Sequence, residues 1–208
     1  MDTIVNSVMN LSHPTVSLIS SLTGYVLEVL AKTTRPLSGR EVHRLVARES
    51  SHVGVQRVLD ELAAQGLVIQ QETGRAILNT LNREHILAPM VTELVALKDR
   101  IPAVIAQIVG EEAPDVDRAV LFGSIAAEDA DSESDVDLLL VWPDDVDSRV
   151  RDAAGHDIGN RIEQLLGNPC RVLHYAATEY AGLAEAAPDF AESIGAAHIE
   201  LLNQEGAP

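Results

Sequence analysis

Cysteine, aromatic side chains and long apolar runs are scarce in this 208-residue chain. A single cysteine, Cys170, excludes a disulfide framework and a cysteine-rich zinc module. Aromatic residues make up 3% of the chain, too few for a surface that stacks successive bases. No apolar run approaches the roughly 18 to 20 residues that span a bilayer. Lys and Arg are absent from the first 31 residues, so the positively charged start of a signal peptide is missing. These absences read as a soluble, cytoplasmic protein with no membrane partner. What is present is a 46% hydrophobic share, enough to build a core, over a length that suits two small domains.

Charge divides the chain. Residues 1–83 hold 8 Lys/Arg against 7 Asp/Glu, whereas residues 84–208 hold 7 against 25. The net charge of −17 is thus −18 from the rear and +1 from the front. A near-neutral front and a strongly acidic rear imply two units with different work.

In the front, apolar residues recur at helical spacing from about Val16 to Leu30, and Thr33-Thr34-Arg35-Pro36 breaks that helix. Ser38-Gly39-Arg40-Glu41 reads as a capping box opening a helix to about Arg48, with Val42, Leu45 and Val46 inward. Ser50-Ser51 caps a third helix that carries Val55, Val58, Leu59 and Leu62 to a stop at Gly66. Residues 67–71 and 75–78, around a Gly-bearing turn, read as a hairpin. Three helices followed by a hairpin is the order of a winged helix-turn-helix. Residues 83–100 read as a connecting helix with a broad apolar face that needs covering, by its own domains or by a second copy. Pro102 suits the first turn of a further helix ending near Gly110.

The rear alternates strands and helices: strands at 118–122, 135–141 and 170–175, a helix at 146–166, and helical stretches at 178–186 and 188–202. The expected organisation is α+β. A winged helix-turn-helix occupies residues 1–82, connecting helices 83–110, and a small mixed sheet flanked by helices 111–208.

The chemistry concentrates at Phe122-Gly123-Ser124, followed after ten residues by Asp135-Val136-Asp137-Leu138. Alternation along a strand points Asp135 and Asp137 to one face. Two adjacent carboxylates repel unless a cation joins them, and oxygen ligands suit Mg²⁺. Glycine lets backbone approach a ligand closely. The N–H groups of a following helix start, with the Ser124 hydroxyl, would then face a phosphate. Metal beside phosphate is the arrangement for phosphoryl or nucleotidyl transfer.

Phe-Gly-Ser followed by Ser-Asp-Val-Asp-Leu resembles the signature of the DNA polymerase beta-type nucleotidyltransferase superfamily, especially its minimal, antitoxin-like members. The resemblance covers residues 118 to about 175. It implies a nucleoside triphosphate as donor or ligand, Mg²⁺ or Mn²⁺ on Asp135 and Asp137, Gly123 and Ser124 at the nucleotide, and transfer of a nucleoside monophosphate to a hydroxyl. With the front included, the chain resembles bacterial fusions of a winged helix (MarR/ArsR-like) to such a domain. Two departures stand out. The family's Arg after Gly-Ser-x-Ala is Ala127, and its third carboxylate, on a later strand, is absent from 170–175. His174 is the nearest functional substitute there, as metal ligand or proton acceptor. An acid of the 128–133 loop is another.

In the front, the third helix would enter a major groove with Ser51, His52, Gln56 and Arg57. Arg40 and Arg44 would contact backbone phosphates, and Arg75 would reach from the hairpin. Three readings stay open. One is a regulator that binds double-stranded DNA as a homodimer and senses or transfers a nucleotide. Another is an antitoxin-type enzyme that modifies a protein or RNA partner. The last is a degenerate nucleotidyltransferase fold kept for binding or dimerisation.

Overall fold

A computed structural model describes residues 9–46, 50–74, 76–131 and 133–204. The chain forms two compact units, one from residues 13–98 and one from residues 1–12 with 99–208.

The front unit begins with α1 (Pro14–Leu18) and α2 (Ser21–Ala31). The single helix expected over 16–30 is thus two, because Ser20 takes an extended ψ of 135° at the start of α2. A two-residue strand, β1 (Leu37–Ser38), leads into α3 (Gly39–Val46). The capping box forms as read. Glu41 accepts the Ser38 N–H at 2.8 Å, and Ser38 Oγ accepts the Glu41 N–H at 3.3 Å. These bonds, Ser38's first, and Arg35 hold the Glu41 carboxyl down to about 2. The expected end of this helix, near Arg48, lies outside the described residues.

Helix α4 (His52–Ala64) is capped by Ser51, whose Oγ accepts the Gly54 N–H at 3.1 Å. It ends where Gly66 turns left-handed at φ 79° and Leu67 N–H returns to the Leu62 carbonyl. Val55, Val58, Leu59 and Leu62 bury as expected against Val26, Leu30 and Val42, while Leu45 turns outward. Strands β2 (Val68–Thr73) and β3 (Ala76–Leu81) form the hairpin, and β1 adds a third strand in the order β1-β3-β2. Two residues are too short to leave a period in sequence, so β1 shows only through its partner. Buried Asn79 on β3 ties to β1 through the Leu37 carbonyl.

Helix α5 (Ala88–Glu112) runs through Pro102 where two helices were expected. An interior proline costs a helix about 3 kcal/mol. Burial of Ile101, Ile105, Ile108 and Val109 along one stripe offsets that, each such side chain contributing about 1.5–3 kcal/mol. At the helix's start the inward positions are Val91 and Val95, in the front core. Ile86, Leu87 and Met90 are exposed.

The rear unit is a four-stranded mixed sheet, ordered β6-β5-β4-β7. Its elements are β4 (Arg118–Phe122), β5 (Val136–Trp142), α6 (Ser148–Leu166), β6 (Cys170–Ala176), α7 (Ala177–Ala181), α8 (Leu183–Ala186), α9 (Pro188–Ala196) and β7 (His198–Asn203). Strands β5 and β6 run parallel, and the other pairs antiparallel. One face (Leu121, Leu138, Leu140, Trp142) packs on Ile105 and Val109 of α5 and on Ile158 and Ile162 of α6. Val150 and Leu165 of α6 are exposed. The other face (Val120, Leu139, Val141) packs on Leu183 and Ile194.

The expected final helix stops at Ala196, and 198–203 pair with β4 instead. Completing the edge of β4 satisfies a row of backbone groups that a longer helix would leave open. Glu200 locks the pairing by taking the Arg118 guanidinium at 2.7 and 2.8 Å. Residues 9–12 belong to this unit. Leu11 lies in its core, Ser12 N–H reaches the Ala130 carbonyl, and buried Asn168 donates to the carbonyls of Met9 and Ser134. Among the described residues, no helix is long and apolar enough to cross a membrane.

Candidate functional site

Strand β4 ends at Phe122, and the chain turns at once. Gly123 sits at φ 74°, where a side chain is strained. A Cβ there would lie 2.7 Å from Asp137 Oδ2, so glycine is needed for space as well as for conformation. The helix expected after Ser124 does not form. Residues 123–128 are turns, closed by Ala127 N–H to the Gly123 carbonyl and Asp129 N–H to the Ser124 carbonyl. The N–H groups of Ala127, Glu128 and Asp129 are thus used within the loop, and no helix start stands behind Ser124. Acids of the same loop do not join the pair either. Asp131 accepts its own Glu133 N–H and the Ser134 hydroxyl, which hold its carboxyl below the usual range.

Asp137 is the second residue of β5, opposite Phe122 on one side and Arg171 on the other. Asp135 immediately precedes the strand, whose entry Asn168 fixes by its bond to the Ser134 carbonyl. Both carboxylates converge on one cation. The Arg171 guanidinium lies 3.3 Å from Asp135 Oδ2 and 3.4 Å from Asp137 Oδ1. Burial raises the Asp137 carboxyl above its ordinary value, Arg171 opposes that, and Asp135 adds to it. Gly123, Asp135 and Asp137, singled out by motif, thus come together. Arg171, which no motif singles out, joins them. Its signal was the strand alternation itself, once β6 is laid parallel beside β5.

On the front unit, Arg40, Arg44, Ser51, His52 and Arg57 are exposed. Arg57 pairs with Glu61 one turn along, at 3.0 Å. Gln56 does not project freely, because it donates to Asp60 at 2.9 Å and its other end lies against Gly39. A small residue at 39 lets α4 lean in, and Gln56 fills the room. Arg75 lies outside the described residues.

Residues 103–204 match the family model of the nucleotidyltransferase domain, and residues 22–82 that of the TBPIP/Hop2 winged helix domain. The chain joins a winged helix to a nucleotidyltransferase domain. No curated protein matches it. Among solved structures, a toxin–antitoxin complex with AMP-PNP is 15% identical, with a TM-score of 0.37, covering 50% of this chain and 74% of that one. The MntA–HepT toxin–antitoxin complex is 14% identical, with a TM-score of 0.34, over 50% and 72%. A tri-AMPylated Shewanella oneidensis HEPN toxin in complex with MNT antitoxin is also 14% identical, with a TM-score of 0.34, over 50% and 71%.

Within the nucleotidyltransferase domain, the strand searched for a third carboxylate presents Arg171 to the pair. His174, proposed as the substitute, points to the opposite face, because it stands an odd number of residues from Arg171. Its Nδ1 accepts the Trp142 indole N–H at 3.2 Å, and its ring lies close against Gly155 of α6. Burial lowers its basicity. The imidazole therefore faces away from the aspartates and lines a groove with Asp152, His156, Glu163 and Cys170. Burial first, then Asp137, Glu163 and Asp135, push the Cys170 thiol up to about 12, so this half-buried thiol stays protonated. Among the described residues, no three His, Cys, Asp or Glu side chains gather as a metal site.

Proposed function

We propose that this protein is a DNA-binding regulator whose nucleotidyltransferase domain takes a magnesium–nucleoside triphosphate as a ligand and does not transfer it. One observation carries the reading. Asp135 and Asp137 share a single cation, and that cation is an arginine standing in register with Asp137. The shared guanidinium supports a pair aimed at one positive charge. Mg²⁺ that arrives on phosphates needs only one or two protein carboxylates, so the donors fit a nucleotide-borne ion. Asp135 and Asp137 would hold it, and when bound it would neutralise the phosphate charge that this acidic domain otherwise repels. The missing side chain at Gly123 lets the Asp137 carboxylate lie against the turn, and the Ser124 hydroxyl would supply a phosphate contact. Transfer needs in addition a group that takes the proton of the acceptor hydroxyl. Arg171 cannot accept one, and His174 is on the far face.

The front unit supports DNA binding through α4, with His52 and Arg57 toward bases and Arg40 and Arg44 toward phosphates. Exposed Ile86, Leu87 and Met90 favour pairing of two copies. Sedimentation of wild type against Met90→Glu tests that pairing, and a monomeric wild type ends it.

The experiment for the main reading uses the full chain. Binding of ATP, CTP, GTP and UTP with Mg²⁺ is measured by calorimetry, and α-labelled nucleotides are then offered with cell extract. Binding without label transfer is expected. Label on any macromolecule that disappears in Asp137→Ala would replace the sensor by an enzyme. Retardation of DNA fragments should fall steeply with salt, and no retardation at low salt would remove the regulator.

A further inference from the structure

We propose that Arg171 is an exchangeable counter-ion: it neutralises Asp135 and Asp137 in the free protein and turns to the nucleotide's phosphates when the pair takes a divalent cation. This rests on the nucleotide reading above. Three observations support it.

The contacts are long for charge-assisted bonds, 3.3 and 3.4 Å, against the usual 2.7–2.9 Å or so. The side chain is 64% exposed while Asp137 is only 19% exposed, so the cation is the movable partner and the carboxylate the fixed one. Finally, β6 is an edge strand, so no neighbouring strand confines the guanidinium on its outer side.

Charge supplies the direction. Without a cation, two carboxylates share one end of a sheet and repel each other, which Arg171 relieves. With a dication on the same oxygens, a guanidinium at that place is repelled in turn. The nearest remaining anion is then the phosphate chain, whose oxygens match the guanidinium fork. The loop after Gly123 offers no cation of its own: position 127 is alanine, followed by Glu128 and Asp129. Arg171 would thus make the empty site less receptive to free metal and more receptive to metal that brings phosphate.

The test is a pair of titrations on the full chain, Mn²⁺ alone and Mg–ATP, for wild type, Arg171→Ala and Asp137→Ala. Exchange predicts opposite signs in Arg171→Ala: Mn²⁺ alone binds about tenfold more tightly, and Mg–ATP about tenfold more weakly. Tighter binding of both would make Arg171 a plug and overturn the proposal, as would no change in either. The underlying reading fails differently. If wild type binds no Mg–ATP, or Asp137→Ala binds it as well as wild type, the nucleotide site itself is wrong. If Asp137→Ala loses Mg–ATP and Arg171→Ala does not, only the exchange falls.

Discussion

The winged helix and the nucleotidyltransferase domain both keep their candidate ligand-binding groups occupied by their own side chains, but with unequal grip. On α4, Arg57 leans on Glu61 in an ion pair exposed on both sides. Such a pair contributes about 0–1 kcal/mol and, on the proposed reading, would yield to a DNA phosphate or base at little cost. At the sheet end, Arg171 bridges two carboxylates, one of them mostly buried. Leaving a partly buried carboxylate without its cation costs more, so on the proposed reading only a ligand that brings positive charge would displace Arg171. The lesson is one of gating by burial. The exposed pair stays open to exchange, whereas the half-buried pair selects what can exchange with it.

The largest expected effects separate the two cores. Leu59→Ala in the front and Leu139→Ala in the rear each remove a fully buried side chain and should cost about 3 kcal/mol. Calorimetric melting should show each loss alongside loss of that unit's own ligand, DNA for the first and nucleotide for the second. Loss of both ligands in both variants would dissolve the division of labour.

Next is Asp137. Asp137→Ala should weaken Mg–ATP by at least about 30-fold, the equivalent of about 2 kcal/mol. Asp137→Asn should lose the same affinity yet raise the melting temperature at neutral pH. Burial lifts the native carboxyl's pKa, so its stabilising share is present only at acid pH and is lost as pH rises through the folded value. An unchanged or lower melting temperature contradicts the strained-carboxylate picture.

On the exposed side, Arg57→Ala should weaken DNA binding about tenfold, and Glu61→Ala should strengthen it by a smaller factor. Gel retardation at fixed salt reads both. If Glu61→Ala binds more weakly, the pair orients Arg57 instead of restraining it.

The smallest effect is in the groove behind the sheet. Burial keeps the His174 imidazole below the ordinary histidine value of 6.5. As pH falls, the unfolded chain is protonated first, so stability is full above about pH 6.5 and declines below it. His174→Gln should flatten that acid slope in urea unfolding.

Much of this was legible before any coordinates. Ser38 with Glu41, the stripe Val55-Val58-Leu59-Leu62 and the Gly-bearing hairpin turn are local signals, and local signals are what sequence carries. Gly123 and the Asp135–Asp137 spacing were equally plain, because strand alternation needs no tertiary knowledge. What escaped depended on partners distant in sequence. Strand β1 and strand β7 exist because β3 and β4 had edges to fill. Pro102 stays inside α5 because a buried stripe outweighs one lost hydrogen bond. His174 is the nearest substitute by chemistry, but it stands on the opposite face of β6 from Arg171. Arg171 was on the right face, with chemistry that became apparent only beside two carboxylates.

Residues 9–12 sit with the sheet, through Leu11, Ser12 and the Asn168 bonds, although the winged helix follows them in the chain. The winged helix is therefore an insertion in the covalent path of the other domain. Cutting the polypeptide at residue 99 would not release an intact half: it would leave Leu11's place in the core open to water and strip one of the two tethers of Asn168, whose other tether holds Ser134, the residue before Asp135. A fragment meant to keep the nucleotidyltransferase domain whole therefore has to carry residues 9–12 as well as those from 99 on, and any exchange of the winged helix would have to respect both seams at once.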